Sequence, residues 1–127
     1  MLTVKNAVRV LCAVLLVAGL AVSTGSNAVA RPKYKDAISA LYPELTKKHG
    51  VDGKLSCAVC HPGKSKKDRN NYGVAFGDKL EKKNETAEAK ITEALKAAAK
   101  EKSATDGKTF GDLIDALELP GTDEKAN

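Results

Sequence analysis

Five consecutive residues, Cys57-Ala58-Val59-Cys60-His61, hold two of the chain's three cysteines and one of its two histidines. No other segment constrains the fold as strongly. The C-x-x-C spacing sets two thiols on one face of a single helical turn, and the adjacent imidazole leaves the same turn one residue later. The third cysteine, Cys12, lies in sequence of another kind. Residues 1–30 begin with Lys5 and Arg9, run through an apolar stretch from Val10 to Val22, and end on the small-x-small pattern Ala28-Val29-Ala30. They read as a cleaved secretory signal, which places the protein in the periplasm or otherwise outside the cytoplasm. The apolar stretch is shorter than the roughly 20 residues a bilayer span needs, so no stable membrane span is expected after cleavage. A lipoprotein anchor at Cys12 would need small residues before it, and Arg9-Val10-Leu11 stand there instead.

Removing 30 of 127 residues leaves a chain of 97 with no Trp, two Phe and three Tyr. A chain of that size buries about two-thirds of its surface or less, so a large apolar cofactor would help complete its core. The C-x-x-C-H order points to one in particular, haem c. In that reading Cys57 and Cys60 form the two covalent thioether links at one edge of the porphyrin, and His61 falls beneath the iron as the proximal ligand. Its imidazole must then be neutral, with the other ring nitrogen donating to a backbone carbonyl or water. Three alternatives compete. A redox dithiol belongs on a βαβ scaffold that this chain does not suggest. A zinc site drawn from Cys57, Cys60, His61 and His49 would ask adjacent residues to face one tetrahedral ion. A plain disulfide is chemically allowed in an exported protein.

The rest of the mature chain reads as one helical domain over residues 31–121, followed by a loose tail over 122–127. Lys35 to Lys48 places Ala37, Ile38, Leu41, Tyr42 and Leu45 on one helical face, with Pro43 either kinking that helix or starting a second. Val51 to Lys54 is a turn, and the polar stretch Lys64 to Asn71 is a surface loop after Pro62-Gly63. Asn70 or Asn71 caps a helix carrying Tyr72, Phe76 and Leu80. Asn84 or Thr86 caps a longer one with Ala87, Ile91, Leu95 and Ala98 as its stripe. Thr109 and Asp112 form a capping box for a short helix with Phe110, Leu113, Ile114 and Leu117. No period-two run rich in β-branched residues occurs. The fold class is therefore all-α, and with the haem c reading of the motif the expectation is a small cytochrome c-like helical domain of three to five short helices around one covalent haem.

The run from Cys57 through Lys64 and Lys66-Lys67 to Arg69-Asn70-Asn71-Tyr72-Gly73 resembles small exported monohaem c-type cytochromes of planctomycete-type bacteria. The ending Thr109-Phe110-Gly111-Asp112-Leu113-Ile114, then Leu119-Pro120-Gly121, is similar too. What the resemblance implies is a helical haem domain with the two cysteines and the following histidine in the usual roles.

Charge and the missing sulfur bear on function. Residues 47–83 carry ten Lys or Arg against four acids, and residues 84–127 carry six against ten. A basic half of this kind suits docking of an acidic redox partner, an attraction that salt screens. Nucleic acid is a poor alternative for an exported chain with so few aromatic residues to stack on bases. The only methionine is Met1, so methionine cannot ligate the iron of the mature protein. His49 is the candidate distal ligand; the competing reading is a surface histidine at a helix C-terminus. With His49 on the iron, the protein is a one-electron carrier and not an enzyme. With an open distal face it would bind NO, CO or peroxide, with weak peroxidase activity in reach. A third reading makes it the haem subunit of a larger oxidoreductase.

Overall fold

In the computed structural model, which describes residues 30–126, five α-helices and no strands occur among the described residues. The N-terminal stretch with its signal-peptide reading and Cys12 lies outside them, apart from Ala30. The helices are α1 (Ala30–Leu41), α2 (Pro43–His49), α3 (Asn71–Lys79), α4 (Glu88–Ala99) and α5 (Phe110–Asp115), with a 3-10 turn at Cys57–Val59 between α2 and α3. Two isolated bridges, Val51 with Lys54 and Lys102 with Thr109, are the only extended pairings among these residues. The architecture is all-α. None of the described helices is long and apolar enough to cross a membrane.

Local chemistry explains the element boundaries. Helix α1 begins five residues ahead of the expected Lys35, because Pro32 stands in its first turn, where a missing N–H costs nothing. Pro43 starts a second helix; Tyr42 leaves helical geometry at φ −123° and ψ 69°, as a residue before proline tends to. Asn70, not Asn71, caps α3, and the Thr109–Asp112 capping box opens α5 as expected. The cap of α4 corrects the reading from sequence. Neither Asn84 nor Thr86 serves; the first residue before the helix is Ala87, and its amide and that of Thr86 donate to the Glu85 carboxylate at 3.0 and 2.8 Å. Those two amides hold the Glu85 carboxyl below its usual pKa against the opposing effect of burial.

Helix α4 is the centre of the packing, in contact with α1, α3 and α5. Its stripe Ile91, Ala94, Leu95 and Ala98 is buried together with Ala37 and Ile38 of α1, Leu45 of α2, Leu55, Val59, Tyr72 and Phe76 of α3, and Phe110 and Ile114 of α5. Aromatic edges link the helices in pairs. Tyr34 meets Phe76 with ring centroids 5.4 Å apart, and Tyr72 meets Phe110 at 5.3 Å, both edge to face.

The chain after α5, where a loose tail over 122–127 was expected, makes several contacts among its described residues. Leu117 sits in the left-handed region at φ 57°, its amide reaching Ile114 O and that of Glu118 reaching Leu113 O, a Schellman closure without glycine. Pro120 is then fully buried. The Thr122 amide donates to Asn71 Oδ1 at 3.0 Å, the Lys125 ammonium pairs with Asp68 at 2.7 Å, and the Ala126 amide donates to Arg69 O at 2.8 Å. The polar composition of this segment hid the fact that its partners are backbone and side-chain groups of the loop before α3 and of that helix's first residue.

The two threonines near helix starts separate a true cap from a bystander. Thr109→Ala should lower stability by about 1 kcal/mol in urea unfolding, whereas Thr86→Ala should stay within about 0.5 kcal/mol. Equal effects would contradict the assignment of Glu85 as the capping group of α4.

Candidate functional site

The motif forms one tight turn. Ser56 begins it, its hydroxyl accepting from the Ala58 amide at 3.1 Å; the Cys60 amide then reaches Cys57 O at 3.2 Å and the His61 amide reaches the same carbonyl at 2.9 Å. One carbonyl thus gathers the ends of the C-x-x-C-H sequence. The two thiols are not joined. Cys57 is exposed, while Cys60 is half-buried and packs against the core. Burial, with a smaller contribution from Cys57, pushes the Cys60 thiol up to about 12, so a neutral sulfur suits that position and a thiolate does not.

His61 is half-buried, with Nδ1 at 2.8 Å from the Asp68 carbonyl. A carbonyl only accepts, so Nδ1 carries the hydrogen and Nε2 keeps its lone pair. The ring is therefore held in the tautomer a metal ligand needs, on the same turn as both sulfurs. His49 is treated in the opposite way. It is exposed at the end of α2, and its Nε2 lies 2.9 Å from Leu117 O, which makes Nε2 the protonated nitrogen. Among the described residues no group of three His, Cys, Asp or Glu is assembled that could hold a metal ion, so His49 is not gathered with Cys57, Cys60 and His61 into a tetrahedral site.

The residue that fixes the turn is Asn70, 2 % exposed. Its backbone amide donates to Cys60 O at 2.9 Å, its Nδ2 donates to Val59 O at 2.9 Å, and its Oδ1 accepts from the Gly73 amide at 2.8 Å. Two glycines make room for this clamp. A Cβ on Gly73 would stand 2.5 Å from Cys60 O, and one on Gly121 would stand 2.2 Å from Asn70 Nδ2. The pattern asparagine before an apolar stripe points to the helix cap; nothing in the sequence points to the bond from the same amide to the motif. Asp68 escaped the sequence reading entirely, since it acts through its backbone carbonyl. Close by, Tyr72 is fully buried and its hydroxyl has no hydrogen-bond partner, with its pKa driven upward by burial and then by Tyr42 and Cys60.

No protein-family model, curated protein or solved structure matches the chain. Asn70→Ala should remove the cap and leave a buried carbonyl unpaired, costing about 2–4 kcal/mol in urea unfolding. It should also raise the reactivity of Cys60 toward thiol reagents in protein without cofactor. A loss below about 1 kcal/mol would show that the clamp is not what holds the turn.

Proposed function

We propose that the protein is an exported c-type cytochrome that carries one electron at a time, with a single haem c linked to Cys57 and Cys60 and its iron held by His61. The observation that carries this reading is the state of His61: its Nδ1–H is spent on the Asp68 carbonyl, and Nε2 is left as a donor beside two unjoined thiols. A haem bound there would supply the one-electron chemistry. The chain's own residues do the rest. Cys57 and Cys60 would hold one edge, and the buried position of Cys60 favours an uncharged sulfur, which a thioether is. Donation from His61 to Asp68 O makes the opposite ring nitrogen a stronger donor.

Protein matured with a cytochrome c assembly system should keep its haem stain through a denaturing gel, and replacing either Cys57 or Cys60 with Ser should leave at most one covalent link. Stain that washes out of the wild-type protein on denaturation would refute covalent attachment.

A second reading rests on His49. Its Nε2 is committed to Leu117 O, which supports a distal face without histidine and so a protein that binds NO, CO or peroxide. The two readings diverge in one experiment. With His49 on the iron, the ferrous protein should take up carbon monoxide slowly or not at all, and His49→Ala should make uptake fast. With an open face, wild type should already be high-spin and fast, and His49→Ala should leave both unchanged.

A further inference from the structure

The C-terminal segment meets the molecule at two places: where α2 ends, and along the loop that carries Asp68. At its start, Leu117 offers its carbonyl to His49 Nε2 from a left-handed conformation that a leucine rarely adopts. Pro120 is then sealed in the core and Gly121 lies directly on the Asn70 side chain. Beyond that, three polar contacts fall within one short stretch, residues 68–71. Lys125 pairs with the Asp68 carboxylate at 2.7 Å, the Ala126 amide donates to Arg69 O at 2.8 Å, and the Thr122 amide donates to Asn71 Oδ1 at 3.0 Å. The Asp68–Arg69 peptide is thus bracketed from both sides, and its oxygen is the one that accepts from His61 Nδ1.

We infer that residues 120–126 are a strap that positions the Asp68 carbonyl and, through it, the His61 ring. The segment has two parts. Pro120 and Gly121 are packed, so their removal would disturb the core. Lys125 and Ala126 are exposed and bury nothing apolar, so their contacts add little to global stability. What they restrain is the loop. Residues 62–69 form no regular structure between the motif and α3, and without an outer anchor the Asp68 carbonyl would be free to drift from the ring. Lys125 and Ala126 are in this sense positioning residues, acting on His61 through the loop. The consequence for a metal bound at Nε2, which rests on the haem reading, follows from the hydrogen bond. A well-held Nδ1–H donor makes Nε2 more basic and favours the ferric state; a loosened one favours the ferrous state.

Ala126→Pro is the informative variant, because it removes the donor to Arg69 O without changing charge, and Ala126→Gly, which keeps the donor, is its control. The Nδ1–H resonance of His61 and its exchange with solvent can be followed by nitrogen-15 NMR in the full mature chain. Ala126→Pro should exchange several-fold faster than wild type while the melting temperature hardly moves, and Ala126→Gly should match wild type. In wild type, 1 M salt should also speed exchange, since it screens the exposed Lys125–Asp68 pair. In haem-loaded protein the midpoint potential of Ala126→Pro should rise. Unchanged exchange and unchanged potential in Ala126→Pro would overturn the strap. Absence of covalent haem from wild type, judged by intact mass, would instead overturn the haem reading and leave the exchange measurement to decide the strap alone.

Discussion

The site depends on one buried amide. Asn70 satisfies the first turn of α3, holds the Val59 carbonyl, and through its own backbone binds Cys60. These bonds lie out of water, where an unmade one costs about 1–3 kcal/mol, so they tie the position of the motif to the position of the helix. Helix α3 is in turn fixed by Tyr72 and Phe76 against α1, α4 and α5. The C-x-x-C-H turn therefore inherits the rigidity of the whole core, although the turn itself is three residues of 3-10 helix. Gly73 and Gly121 are the spatial conditions for this arrangement. Any side chain at either place would occupy the volume of the clamp.

How much of this the sequence disclosed follows from where each interaction stores its signal. The stripes of α3, α4 and α5 and the interruption at Pro43 come from side-chain periodicity and from proline's missing donor, both of which are local. The Thr109–Asp112 box is local as well, and both halves of it form. Glu85 as the cap of α4 was hidden because a glutamate three residues before a helix has the same composition as an ordinary solvated acid. Asp68 O, Leu117 O and Arg69 O were hidden for a deeper reason. They are backbone atoms, present at every residue, and their roles are set by the tertiary path. The cysteines and His61 were legible as a chemical set, whereas the hydrogen bond that selects the His61 tautomer was expected without its partner being readable.

The core itself bears on the cofactor question. Its aromatic content is low, and Tyr72 spends a fully buried position on a hydroxyl that nothing in the protein satisfies. Native interiors pair nearly all such groups, so an orphaned hydroxyl near the motif is a place where a further polar partner would be stabilising. Cys60 presents the complementary feature, a sulfur buried enough to disfavour charge. One neighbour thus lacks a hydrogen-bond partner, and the other favours a neutral sulfur.

The two histidines show how a backbone carbonyl can assign a role. Each gives a hydrogen to a carbonyl oxygen, but from opposite ring nitrogens, so His61 presents Nε2 and His49 presents Nδ1. The His49 contact is exposed, and a hydrogen bond of that kind is worth about 0.5–1.5 kcal/mol net. The left-handed Leu117 that supplies its acceptor costs about 1–2 kcal/mol. The closure of α5 holds Leu117 in that conformation whether or not the ring is bound, so release of the ring loses the hydrogen bond alone. Leu117 also begins the segment that ends on Asp68. Between the two contacts Pro120 is buried and Gly121 lies on Asn70, so packed residues separate the His49 contact at Leu117 from the contacts that Lys125 and Ala126 make with the Asp68 loop.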